Sequence, residues 1–295
     1  MSRNVTVGLD GSPESLAAAD WAAREALLRA APLRLVHAGE QQPHAYVPFA
    51  GEEVPPPGAD RSAHMLREVE ASLTHRHPGL RITAEQLDQQ PSSALPAAAR
   101  EAELLVLGSR GLGRTAGYLL GSVALAVVAR AERPVVLVPA GAGRTDGPVP
   151  DDSGTASAAI PNGDVVLGLD LREPHDAVLE FAFDAAHRRA AALRILHGWK
   201  QPSDDSAPTD EPAEEARELL TDTLRPWRDK FPGVEVIEEA VVGRAGSHLA
   251  DASHDASLVV LGHRRRQGPL GAHIGPVTHT VLRDGAAPVV VVPHG

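Results

Sequence analysis

No cysteine occurs among the 295 residues. That excludes disulfides, thiolate metal sites and thiol catalysis together, and it fits a reducing compartment, so a cytoplasmic location is expected. Aromatic residues make up only 3%, so the 43% hydrophobic content rests mainly on Ala, Val and Leu. No stretch approaches the ~18 uninterrupted apolar residues of a membrane span. The opening MSRNVTVGLDGS lacks the apolar core of a signal peptide and reads as a strand. Positive charge is in deficit: 28 Lys and Arg face 39 Asp and Glu, a formal charge of -11. Nucleic acid is therefore excluded as a generic partner, because phosphate backbones need a basic field. An anionic ligand would need locally placed arginines or backbone N–H groups.

What the chain does have is a second copy of itself. VTVGLDGSPESLAAADWAAREALLRAAPLRLVHA from Val5 matches VVLGLDLREPHDAVLEFAFDAAHRRAAALRILHG from Val165, without a gap. Gly8 meets Gly168, Asp10 meets Asp170, Trp21 meets Phe181 and His37 meets His197, each 160 positions on. AELLVLG (102–108) matches ASLVVLG (256–262), and RPVVLVPAG (133–141) matches APVVVVPHG (287–295), now 154 positions on. The second copy is thus shorter in its middle. A length of 295 residues suits two domains of ~150. We expect a first domain at 1–141, a flexible Gly, Pro, Ser and Asp-rich linker at 142–162, and a second domain at 163–295.

Each copy alternates short apolar runs with amphipathic stretches. In the first, VTVGLD is a buried strand, and Ser12 with Pro13 opens a helix as cap and first residue. Ala17, Ala18, Trp21, Ala22, Ala26 and Leu28 give that helix its apolar face. LRLVHA (33–38), RITAEQL (81–87), ELLVLG (103–108) and PVVLVP (134–139) read as further strands. Helices are expected at 62–77, at 94–102 with Pro96 in its first turn, and from Ser122. This order predicts an α/β fold with a parallel sheet covered on both faces. Such sheets bind ligands beyond the carboxyl ends of their strands, at the point where strand order reverses.

GSRGLGRTAGYLLGS (108–122) follows the fourth strand and holds five glycines. Glycines there let the backbone turn sharply and bring N–H groups close to an anion. Ser122 opens a helix whose free amides also favour negative charge, and its hydroxyl adds a donor. Arg110 and Arg114 add local positive charge. These are the parts of a phosphate cradle, although a plain tight turn accounts for the same glycines. The segment lacks the Gly-Lys-Ser/Thr of a Walker A loop, and the dinucleotide fingerprint belongs after a first strand. His37 and His197 read as strand-end fillers, since no metal-binding spacing accompanies them.

Gly108, Gly111 and Gly121-Ser122 resemble the G-x2-G-x9-G-(S/T) ATP-binding pattern of the universal stress protein family. VTVGLDGSPESLAAADWA and RPVVLVPAG resemble that family in the same order, and the likeness covers nearly the whole chain twice, as in its tandem-domain members. The resemblance implies two doubly wound, Rossmann-like domains, each a five-stranded parallel sheet in order 3-2-1-4-5. Their last strands, Val135–Val138 and Val289–Val292, would pair into an internal pseudo-dimer, and whole chains could pair further as a homodimer. It implies ATP, with magnesium compatible, across the ends of the first and fourth strands. Gly8 and Asp10 would border the adenosine, and the main chain from Val36 to Ala38 the adenine. Gly108, Ser109, Arg110, Gly111 and Gly113, with Gly121, Ser122 and Val123, would hold the phosphates. The implied role is a regulatory, stress-response ATP-binding protein with at most slow hydrolysis. An adenylating-type enzyme on a related sheet and a scaffold that has lost nucleotide binding are the alternatives.

The second copy departs from the pattern. In GHRRRQGPLGAHIGP (262–276), Gly262 and Gly275 persist, but Arg265 replaces the second glycine and Pro276 the serine. Leu171-Arg172 replaces Gly11-Ser12. ATP is expected there weakly or not at all, unless the arginines at 264–266 hold phosphate by charge instead.

Overall fold

The computed structural model describes residues 3–39, 59–109, 121–139, 163–199, 211–265 and 274–295. These fall into two compact units, 3–139 and 163–295. The first runs β1 (Asn4–Gly8), α1 (Pro13–Leu28), β2 (Leu33–Ala38), α2 (Ala59–Arg76), β3 (Ile82–Leu87), α3 (Pro91–Glu101), β4 (Ala102–Ser109), α4 (Ser122–Arg130) and β5 (Val135–Pro139). Its strands lie in the order β3-β2-β1-β4-β5, every pair parallel. The second runs β6 (Asp164–Gly168), α5 (Asp176–Arg189), β7 (Leu193–Trp199), α6 (Glu211–Lys230), β8 (Val236–Val242), α7 (Ala245–Ala252), β9 (Ala256–Arg264), α8 (Pro276–Asp284) and β10 (Val289–His294). Its order is β8-β7-β6-β9-β10, again all parallel. Among the described residues no helix is long and apolar enough to cross a membrane.

Central strands are buried on both faces, which is why they read as continuous apolar runs. Val5, Val7, Leu104, Leu105 and Val106 are fully buried. β3 is different: Thr83, Ala84 and Glu85 are exposed, as suits a sheet edge. Arg34 ties it in, its guanidinium reaching Glu85 at 2.7 Å and Glu101 at 2.9 Å.

Helix α1 starts as its sequence dictates. Ser12 Oγ accepts from Ser15 N at 3.2 Å, and Pro13 takes the first helical position, where a missing N–H costs nothing. The buried face is wider than the expected stripe. Ala18, Ala19, Trp21, Ala22, Ala23, Glu25 and Ala26 are buried, whereas Ala17 and Leu28 are only half-buried. Alanines let the helix sit very close to the sheet. Glu25 is buried because Arg29 Nε meets it at 2.6 Å, and Arg29 Nη1 meets Glu103 on β4 at 2.6 Å.

One expected boundary is corrected. α3 begins at Pro91, so Pro96 lies inside the helix and not in its first turn. A proline there cannot donate to the Ser92 carbonyl. That carbonyl lies in the exposed opening turn, and Arg130 Nη1 approaches it at 3.5 Å.

The copies differ in how the first helix starts. α5 begins at Asp176, three residues later than the copy alignment places it. Pro174 disfavours helical geometry at Glu173, and no serine stands ready to cap. His175 occupies the N-cap position without a side-chain capping bond. Where α1 has Ala23, α5 has the fully buried Phe183, which stacks on Trp227 and Phe231 at 6.1 and 5.7 Å.

Candidate functional site

In the first unit the strand order reverses between β1 and β4, because β2 and β3 lie on one side of β1 while β4 and β5 lie on the other. Crossovers leave opposite faces of the sheet there, so the carboxyl ends of β1 and β4 part into a crevice. The crevice holds a cavity of about 550 Å³. Gly8, Asp10, Val36, Gly108, Gly121, Ser122 and Val123 all line it. Ser109 does not: it is buried at the end of β4, in register with Pro139. Arg110, Gly111 and Gly113, with Arg114, lie outside the described residues.

Asp10 sits at one end of the cavity, in a turn held by its own hydrogen bonds. Ser12 donates to Asp10 Oδ1 twice, from its backbone N–H at 2.9 Å and from Oγ at 2.5 Å. Burial pushes the Asp10 carboxyl up, but these hydrogen bonds outweigh it and hold the group below the usual carboxylate range. Gly11 between them has φ +79°, a conformation that other residues enter only under strain.

The far end is the start of α4. Its first helical bond is Leu125 N to Gly121 O at 3.1 Å, so helix geometry leaves the amides of Ser122, Val123 and Ala124 without an intrahelical partner. Gly121 is the N-cap and provides no side-chain acceptor. Its φ is -55°, and a Cβ placed there would meet nothing within 4 Å. Neither packing nor backbone geometry of the described residues demands glycine at 121. What its small size leaves open is the cavity itself.

Gly108 has a different reason to be glycine. A Cβ there would lie 2.5 Å from Glu14 C and 2.7 Å from Ser15 N. Its bare backbone accommodates the first turn of α1, which carries Ser12 and Asp10 to the cavity. The apolar wall comes from Pro91 and Leu95 of α3 with Leu107 of β4, a contribution absent from the sequence reading. The signal for it is Pro91, which opens α3 one turn earlier than Pro96 suggests. His37 does not line the cavity: its Nδ1 lies 2.8 Å from Leu9 O and its Nε2 3.1 Å from Ser62 Oγ. That is a structural bridge between β1, β2 and α2.

The second unit has a cavity of about 440 Å³ at the equivalent place. Gly168, Leu169, Asp170 and Leu196 line it as their counterparts line the first. Asp170 Oδ1 accepts from Arg172 N at 3.1 Å, repeating the Asp10 turn. His197 Nδ1 lies 3.1 Å from Leu169 O, repeating the His37 bridge. Beyond that the cavities diverge. Arg264 Nη1 pairs with both carboxylate oxygens of Glu173 at 3.0 Å, and the rings of His175 and His294 lie 3.8 Å apart. Of the other two arginines in that run, Arg265 donates its backbone N–H to His294 O at 2.9 Å, and Arg266 lies outside the described residues.

Burial, then His175 and His263, push the His294 imidazole down to about 4, against a small opposing pull from Glu173 and with a further push from Arg264. Burial lowers His263 as well. Between pH about 6.5 and about 4 the unfolded chain therefore binds more protons than the native one. Stability is present above that window and is lost as pH falls through it. His294→Ala, which installs the first copy's residue at this position, should flatten the slope of urea midpoint against pH between 6.5 and 4. An unchanged slope would refute the assignment.

The comparisons agree with the duplicated architecture. The profile of the universal stress protein family matches residues 1–139 and again 162–293. Universal stress protein Rv1996 of Mycobacterium tuberculosis is 34% identical, over 97% of this chain and 94% of its own. The crystal structure of a universal stress protein from Archaeoglobus fulgidus superposes with TM-score 0.65 at 17% identity, covering 100% of both chains. A universal stress protein solved in complex with cAMP is 30% identical over 48% of this chain and 99% of its own, with TM-score 0.36. With both halves matched by one profile and a full-length relative at this identity, the chain belongs to the universal stress protein family.

Proposed function

We propose that the first unit binds an adenine nucleotide, ATP with the magnesium ion it carries, and that the protein acts as a regulatory binding module in a stress response. The observation that carries this reading is the 550 Å³ crevice with an anchored carboxylate at one end and an uncapped helix start at the other. Asp10 suits the hydroxyls of a ribose or the amino group of a base. Pro91, Leu95 and Leu107 offer an apolar surface for a flat ring. The amides of Ser122, Val123 and Ala124 and the Ser122 hydroxyl point to the phosphate end, where the helix dipole favours negative charge.

The lining contains no Lys, Arg or His among its described residues, so backbone N–H groups and the helix dipole carry the anion affinity there. Asp10 is a poor general base because its hydrogen bonds hold it ionised and weakly basic. Binding with little turnover fits these groups better than adenylate transfer does.

The test is a calorimetric titration of ATP into the full chain and two variants. Asp10→Ala removes a charged hydrogen-bond acceptor and should weaken binding about 10-fold or more. Gly121→Val enters open space in the cavity without a backbone clash. It should weaken binding at least as much while leaving the unfolding midpoint unchanged. Wild-type affinity in both variants would refute the assignment of this crevice.

A further inference from the structure

The second cleft keeps one half of the first and rebuilds the other. Gly168, Leu169, Asp170 and Leu196 repeat the adenosine end in position and in hydrogen bonding. Leu169 N donates to Leu196 O at 3.1 Å as Leu9 N donates to Val36 O at 2.8 Å. Ala245, Leu249 and Leu261 repeat the apolar wall of Pro91, Leu95 and Leu107.

Gly262, Gly275 and Val277 keep the places of Gly108, Gly121 and Val123, but other positions around the cavity mouth change. Arg172 replaces Ser12, Glu173 replaces Pro13, His175 replaces Ser15 and Pro276 replaces Ser122. His294 stands where the first copy has Ala140. These are not scattered losses, because the new side chains contact one another and Arg264, the counterpart of Arg110. Glu173 pairs with Arg264 through both carboxylate oxygens, and the His175 ring lies 3.8 Å from that of His294, tilted by 31°. Pro276 removes both a hydroxyl and the first free amide of α8. A polyphosphate entering there would meet the Glu173 carboxylate and find Arg264 already engaged. His294 is held neutral at physiological pH and brings no compensating charge.

We propose that the second cleft is a site for an uncharged adenine nucleoside, adenosine or a close analogue without phosphate, selected against ATP by the Glu173–Arg264 pair and Pro276. The proposal rests on the adenosine orientation assigned to the first cleft, with Asp170 taking the part of Asp10. It makes the chain a receptor for two chemically related ligands, one charged and one not.

The experiment is equilibrium dialysis of radiolabelled adenosine against the full chain, in wild type, Asp10→Ala and Asp170→Ala, each with and without excess ATP. One adenosine site that ATP does not displace is expected in wild type and in Asp10→Ala. Asp170→Ala should weaken that site about 10-fold or more. In a Glu173→Ser/Pro276→Ser variant, ATP should begin to displace adenosine from it. The proposal is overturned if no ATP-resistant adenosine site exists, if Asp170→Ala leaves it intact, or if ATP competes equally in the Asp10→Ala chain. Failure of the first-cleft reading shows separately, as absence of an Asp10-dependent ATP isotherm, and leaves the Asp170-dependent adenosine result legible.

Discussion

Gly108→Ala should destabilise the first unit by about 3 kcal/mol and abolish the nucleotide binding proposed for it, while Gly262→Ala at the equivalent position should cost about 1 kcal/mol or less. The difference lies in what the added methyl meets. At 108 it falls 2.5 Å from Glu14 C, 2.6 Å from Glu14 O and 2.7 Å from Ser15 N, all main-chain atoms of a helix that is itself packed against the sheet. No rotamer change relieves such a clash, so α1 must move. The turn from Asp10 to Ser12 moves with it, because Ser15 N donates to Ser12 Oγ and Ser12 donates to Asp10. At 262 the methyl falls 3.0 Å from His294 Nε2 and 3.2 Å from Val178 Cγ2, both side-chain atoms that can shift by a few tenths of an ångström. Urea unfolding followed by Trp21 fluorescence in a Trp199→Phe/Trp227→Phe background reads Gly108→Ala in the first unit, and Trp227 fluorescence in a Trp21→Phe/Trp199→Phe background reads Gly262→Ala in the second. Equal midpoint losses for the two substitutions would contradict the account.

Glu25→Ala should cost about 3 kcal/mol, the usual penalty for breaking a buried ion pair from one side. Glu25 is 1% exposed and Arg29 9%. After the substitution the Arg29 guanidinium keeps Glu103, whose side chain is 37% exposed, but loses its buried counter-charge. The double variant Glu25→Leu/Arg29→Met removes both charges and should recover most of the loss, since apolar replacements of such pairs are often neutral. If the double variant is as unstable as the single one, the penalty is a packing effect and not an electrostatic one. Thermal unfolding of the three chains at one pH decides it.

Much of this architecture is legible from residues alone. The runs around Leu104–Leu107 and Val135–Val138 are apolar on both faces, as strands of a sheet covered on both sides require. Ser12-Pro13 announces a helix start because cap and first residue are adjacent. The seat of the site follows from its place after two strands. Other features are set by neighbours far along the chain. Gly108 reads as a ligand-facing glycine, yet its missing side chain also accommodates Glu14 and Ser15. Pro91 and Leu95 join the cavity wall because α3 starts earlier than Pro96 suggests. The group made of Glu173, His175, Arg264 and His294 is invisible before folding, because β9 and β10 deliver the last two to the rim from the other end of the domain. Arg264 reads as solvated charge until Glu173 is placed beside it.

The alanine face of α1 has a consequence for how this half of the protein can vary. Ala18, Ala19, Ala22, Ala23 and Ala26 have almost nothing to lose, so trimming them to glycine taxes only helix propensity, by roughly 1 kcal/mol each. Enlarging any of them drives added atoms into close-packed neighbours. Tolerance along this helix is therefore one-sided: contraction is mild and growth is not. In the other half, Phe183 fills the place of Ala23, with Trp227 and Phe231 alongside. Helices exchanged between the two halves would not be interchangeable parts, although they align without a gap.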